Sequence, residues 1–109
     1  MNQFDALLQL VKQFRDERDW EQFHNSKDLA VAINVEAGEL LELFLWKNAG
    51  EENKEKVKAE LADIFVYALL FADKYGFDIE AIVKEKMQTN AEKYPVDKAK
   101  GTAKKYTEL

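Results

Sequence analysis

No cysteine occurs among the 109 residues, so neither a disulfide scaffold nor a thiolate metal site is open to this chain. The single histidine, His24, has no second imidazole to work with and is a poor metal-ligand candidate. A di-iron bundle needs two Glu-x-x-His segments, and a single histidine allows no more than one. Proline occurs once, glycine four times, and no alternation of β-branched and polar residues extends beyond the short stretch 31–36, so strands are not expected. No apolar run approaches the roughly 20 residues of a membrane span. The longest, Ile64 to Ala72, is bounded by Asp63 and Asp73. The N-terminus lacks the basic-then-apolar layout of a targeting peptide. A cytoplasmic protein without a membrane partner is the expectation.

Charge and helix-forming apolar residues fill the space those absences leave. Hydrophobic residues make up 47 % of the sequence and charged ones 34 %, an ordinary balance for a globular protein. At this length one domain, residues 1–109, is expected, with a single core that gains from association. Sixteen Lys and Arg against twenty-one Asp and Glu give a net charge of −5, which argues against nucleic-acid polymers as partners. Lys93, Lys98, Lys100, Lys104 and Lys105 nevertheless crowd the last seventeen residues. The basic tail, 95–109, reads either as a solvated extension or as a flap that closes over phosphates.

The apolar spacing predicts four helices and hence an all-α, four-helix bundle-like domain. Phe4, Leu7, Leu8, Val11 and Phe14 give the first, over about 2–18; Asp19 to Lys27 is a connection. The second is expected over 28–47, ended by Asn48-Ala49-Gly50, and the third over 51–75, stopped by Gly76. Asp78 is a suitable N-cap for the fourth, which reaches Tyr94 before Pro95, and Gly101 breaks the tail. From Leu61 to Ala72 only Asp63 is charged. A helix apolar all round must be covered all round, so Val66, Leu69 and Leu70 are expected to face a second subunit.

Four carboxylates carry the functional signal: Glu36-x-x-Glu39 and Glu60-x-x-Asp63. Residues three apart on a helix project from neighbouring turns on one side, so each pair can pinch one cation. Two such pairs offer oxygens only, the environment that hard divalent ions such as Mg²⁺ or Mn²⁺ take. On a helical wheel Leu29, Ile33, Ala37, Leu40, Leu41 and Phe44 form an apolar arc that contains Glu36, with Glu39 at its edge beside Trp46. Val57, Leu61, Ile64, Ala68, Phe71 and Ala72 form a second stripe, flanked by Glu60, Asp63 and Tyr67. A buried ionised carboxylate costs several kcal/mol unless paired or metal-bound. Singly, each of these acids is as easily a surface or salt-bridged residue; as matched pairs they favour a shared metal site.

On the fourth helix Ile79, Ile82, Val83 and Met87 mark a core face, and Lys86 and Asn90 fall on the same arc. Lys86 is either a snorkelling side chain or a phosphate contact, and Asn90 can both donate to and accept from a base or sugar. Trp20, Phe23, His24, Trp46, Tyr67 and Tyr106 are core residues or the lining of a pocket on which a nucleobase stacks.

The carboxylate motif, the stretch FRDERDWEQFHNSKDLA at 14–30, EAGELLELFLWK at 36–47 and the ending KKYTEL together cover nearly the whole chain. They resemble the MazG-like all-α nucleotide pyrophosphohydrolases, most closely the dCTP pyrophosphatase branch. That resemblance implies Mg²⁺, with Mn²⁺ as a substitute, held by Glu36, Glu39, Glu60 and Asp63, with Glu36 or Glu39 orienting or deprotonating the attacking water. It places Trp20, Trp46, Tyr67 and Asn90 around base and sugar and Lys86 towards the phosphates. It also implies a homotetramer, a dimer of dimers, with sites between subunits. The expected reaction is hydrolysis of dCTP, or a modified dCTP, to the monophosphate and pyrophosphate. A shorter loop at Asn48 to Asn53, and Val11 where the branch carries a polar residue, bear on base preference but leave the metal motif untouched. Two rivals stand beside this reading: a related hydrolase for another nucleotide (dUTP, a modified or oxidised dNTP, phosphoribosyl-ATP) and a non-catalytic helical interaction module.

Overall fold

Asparagine starts three of the five helices of this all-α chain, a computed structural model that describes residues 1–109. In α1 (Gln3–Glu17) the Asn2 side chain accepts from Asp5 N–H at 2.9 Å while Asp5 accepts from Asn2 N–H at 3.0 Å, a reciprocal capping box. Asn25 caps α2 (Ser26–Glu42) by accepting from Asp28 N–H at 2.8 Å. Asn53 caps α3 (Lys54–Tyr75) by accepting from Glu55 and Lys56 N–H. Asp78 does the same for α4 (Ile79–Lys93), accepting from Glu80 N–H at 3.2 Å. Such caps satisfy amide donors that the first helical turn leaves unpaired. A one-turn α5 (Val96–Ala99) and two 3₁₀ turns, Glu21–Phe23 and Tyr106–Glu108, complete the elements.

The end of α3 follows from Gly76. Its φ of 70° is left-handed, a conformation glycine reaches without a Cβ penalty. Phe77 N–H donates to Ala72 O and Gly76 N–H to Asp73 O, the paired bonds of a Schellman turn.

Helix two differs from expectation at both ends. It begins two residues early because Asn25 is in the tail of the connection. It ends at Glu42 because the N–H groups of Leu43, Phe44 and Leu45 bond carbonyls three residues back, which tightens the chain into turns. Trp46 therefore does not lie on a helical flank. Its φ is 61° and its side chain is fully exposed.

The chain divides into two compact units, Met1–Phe77 and Asp78–Leu109. In the first, α2 and α1 both pack on α3. The inward face of α2 runs through Leu29, Ile33, Glu36, Leu40 and Leu43, whereas Ala37, Leu41 and Phe44 of the expected arc are exposed. On α3, Leu69, Leu70 and Ala72 are buried within the chain. Leu69 and Leu70 are thus core residues and not the partner-facing surface expected of them, and Val66 is half-buried. The difference runs along the helix and not around it: Leu61 and Phe65 lie one to three turns before Leu69 and Ala72 on the same side of α3, yet are 46 % and 55 % exposed.

In the second unit no α4 residue is buried; Ile82, Val83 and Met87, expected as a core face, are exposed. The Tyr106 ring meets Tyr94 edge-on at 6.0 Å and takes the Lys93 ammonium over its face at 4.8 Å. Gly101, with φ 80°, breaks the tail where expected.

Candidate active site

Helix α2 delivers Glu36 and helix α3 delivers Glu60 and Asp63, one turn apart, to a common point. One carboxylate oxygen from each of the three lies within 4.8 Å of the others. Glu36 sits on the inward face because Leu29, Ile33, Leu40 and Leu43 carry that face into the chain. Burial raises its pKa to about 7, helped by hydrogen-bonding proximity to Glu39 and Glu60 and by the charges of Glu39 and Asp63. Glu60 is raised too, first by burial and then through Glu39 and Asp63, while its contact with Glu36 pulls the other way.

Two oxygens, Glu36 Oε2 and Glu60 Oε2, are closed off from solvent with no donor beside them. Their neighbours are other carboxylates, so a hydrogen bond forms there only when a proton is shared. Buried acceptors without donors are rare and call for a cation or proton. The donor set is all oxygen, as a hard divalent ion requires. These residues fit such an ion, and the cluster is a carboxylate site able to take a divalent cation.

Beside the acids lies a cavity of about 230 Å³. Phe14, Trp20, His24 and Tyr67 give it aromatic walls, Val11, Val66 and Leu70 aliphatic ones, and Arg15, Glu36 and Asp63 its charge. Trp20 is placed by the sharp turn after α1: Asp19 is left-handed at φ 54°, and Trp20 N–H returns to the Arg15 carbonyl at 3.1 Å. The Trp20 ring packs edge-on against Phe14 at 5.7 Å, and His24 edge-on against Tyr67 at 6.5 Å. Burial raises the Tyr67 hydroxyl pKa, and the charges of Glu36, Asp63 and Glu39 raise it further. Burial, then Arg15 and Lys74, lower that of His24, whose Nδ1 has no hydrogen-bond partner. A flat ring held on Trp20 or Tyr67 would lie next to the carboxylates.

Of the residues singled out from the sequence, Glu36, Glu60, Asp63, Trp20 and Tyr67 converge on this cluster and cavity. Glu39 perturbs both Glu36 and Glu60. Trp46 stands outside the cavity lining, and Lys86 and Asn90 belong to the second unit, exposed and half-buried respectively. Arg15, not among the residues singled out from the sequence, is the one buried charged side chain. Its signal was the spacing of Phe4, Leu8, Val11 and Arg15 along one face of α1. His24, a poor metal-ligand candidate that the sequence also places among the pocket aromatics, lines the cavity.

The MazG-like family profile matches residues 31–109. The chain is similar to dCTP pyrophosphatase 1 of Rattus norvegicus, 40 % identical over 113 positions, and to that of Homo sapiens, 38 % identical. Each match takes in 96 % of this chain, which spans 66 % of the length of those curated relatives. Among solved structures it is similar to a pyrophosphatase from Archaeoglobus fulgidus, with a TM-score of 0.80 and 36 % identity. That match covers 87 % of this chain and 94 % of the other.

Proposed function

The chain belongs to the MazG-like family, and on that premise we propose that it is a Mg²⁺-dependent nucleoside triphosphate pyrophosphohydrolase cleaving dCTP, or a 5-modified dCTP, to the monophosphate and pyrophosphate. The observation that carries the reading is the adjacency of an all-oxygen carboxylate cluster and an aromatic cavity. One suits a phosphate-bound cation and the other a base. The names of the relatives point to the same substrate.

Glu36, Glu39, Glu60 and Asp63 would hold Mg²⁺, or Mn²⁺ in its place. When bound, the ion supplies charge neutralisation along the phosphate chain and a lowered pKa for water. Glu36 or Glu39, one turn apart on α2, would orient the attacking water or take up the proton it loses. Trp20 and Tyr67 hold the base, and the aliphatic lining keeps bulk water from the reacting end. Water opens the α–β linkage and pyrophosphate leaves as one unit.

Lys86 is assigned to the phosphates and Asn90 to the base or sugar. Trp46 remains a base contact, supported by an unusual price: a left-handed non-glycine backbone costs about 1–2 kcal/mol at a fully exposed indole. Strain of that kind gathers at ligand sites. Residues 1–109 are read as one domain that works in the cytoplasm as a homo-oligomer, a tetramer built as a dimer of dimers. No helix is long and apolar enough to cross a membrane. Exposed Leu41, Leu61 and Phe65 supply apolar surface for the assembly.

Phosphorus NMR of dCTP turnover with Mg²⁺ tests the reaction. Pyrophosphate without transient diphosphate is expected; stepwise release of orthophosphate would overturn the proposal.

A further inference from the structure

Arg15 is 5 % exposed, yet its protein partners use little of it. Nε donates to Asp16 Oδ1 at 2.8 Å, and Nη2 stands 3.7 Å from Glu21 Oε2, beyond hydrogen-bond distance. A guanidinium carries five N–H donors in a rigid planar fork. Asp16 and Glu21 are themselves more than half exposed, so water shares them. None of its nitrogens is both closed off and unpartnered, and Arg15 lines the cavity together with Trp20, Tyr67 and the carboxylates. Spare donors on a residue lining a cavity with flat aromatic walls suit a planar ligand that offers two neighbouring acceptors on one edge.

Cytosine offers them: O2 and N3 are adjacent and both accept. Uracil and thymine present O2 beside an N3–H donor, which would face the fork donor to donor. We propose that Arg15 is a specificity-determining residue that reads the O2/N3 edge of the pyrimidine. The inference rests on the dCTP reading above and deepens it. It assigns the discrimination between cytosine and uracil to acceptor pattern. C5 lies across the ring from that edge, so a 5-substituent goes unread by Arg15.

The test is kcat/KM of the full chain with Mg²⁺ for dCTP, dUTP and 5-methyl-dCTP, in wild type, Arg15→Lys and Arg15→Gln. Both variants are checked by circular dichroism melting. Arg15→Lys keeps the charge and the packed stem but lacks the fork. Expected are a fall of tenfold or more in the dCTP/dUTP ratio in both variants and an unchanged 5-methyl-dCTP/dCTP ratio. A uniform loss on all substrates would make Arg15 a phosphate contact or a structural clamp and overturn the inference. A wild-type arm needs no variant to fold: the triphosphate of 2-pyrimidinone deoxyriboside keeps O2 and N3 and lacks the 4-amino group. Turnover within a few-fold of dCTP is expected, whereas a drop to the dUTP level would mean that the amino group is read instead. Wild type without a preference for dCTP over dUTP would defeat the substrate reading itself, a result distinct from wild-type preference that survives substitution of Arg15.

Discussion

The two ends of α3 are built from similar side chains and are used in opposite ways. Towards its C-terminus Leu69, Leu70 and Ala72 are buried and hold α1 and α2 in place. Towards its N-terminus Leu61 is exposed, and the charged residues Glu60 and Asp63 are the ones that converge with Glu36. The well-packed end supplies rigidity, and the loosely packed end spends it on crowding carboxylates that repel one another. Stability and chemistry are thus separated along a single helix. Substitutions at the two ends should have different signatures.

The largest effect is expected at the acidic end. Glu36→Gln nearly preserves volume and removes one ligand charge, so kcat/KM for dCTP should fall by about three orders of magnitude, roughly 4 kcal/mol of transition-state stabilisation. Its melting temperature in metal-free buffer should hold or rise. Steady-state kinetics beside calorimetry checks both, and activity within a few-fold of wild type would remove Glu36 from the site. At the packed end Leu70→Ala should cost about 2–5 kcal/mol in denaturant unfolding, the usual range for a truncated core leucine. The folded fraction should still bind Mg²⁺.

The exposed flank of α3 gives a smaller, oligomer-level effect. Light scattering of wild type is expected at two or four times 12.6 kDa, and Leu61→Ser with Phe65→Ser should lower that mass while leaving helicity intact. A well-folded wild-type monomer at micromolar concentration would contradict the assembly.

A pH dependence belongs to the same acids. The Glu36 pKa stands at about 7 in the fold against an ordinary 4.5, so the native state holds a proton that the unfolded state has released. Metal-free stability therefore falls as pH rises from 4.5 to 7, and levels off above. The difference between wild type and Glu36→Gln isolates this slope from other carboxylates. A flat difference across that window would deny the crowding.

Much of this was legible in the sequence because short-range physics decides it. Helix class, the Gly76 stop and the Asp78 cap follow from local chemistry, and the i,i+3 acids follow from helical spacing. What was less legible depended on tertiary choice. Leu69 and Leu70 were assigned outward because an all-apolar helix has no unique face in its own sequence; only the positions of α1 and α2 select one. Trp46 followed the wheel past the point where the helix tightens into turns, since propensity does not register a 3₁₀ ending. Arg15 was hidden by the general rule that arginine is a surface residue.

The central claim is that the carboxylates at the open end of α3 and on α2 form a cation site beside the cavity. The most direct measurement is the melting temperature at pH 8 as Mg²⁺ rises from zero to millimolar, for wild type and Glu36→Gln without nucleotide. An ion bound only by the folded state stabilises it by RT ln(1 + [L]/Kd), about 2.7 kcal/mol at a hundredfold excess over Kd. Wild type should climb with the logarithm of Mg²⁺ concentration, and Glu36→Gln, starting as high or higher, should respond weakly or not at all. A wild-type curve that stays flat, or a variant that climbs in parallel with it, would contradict the account.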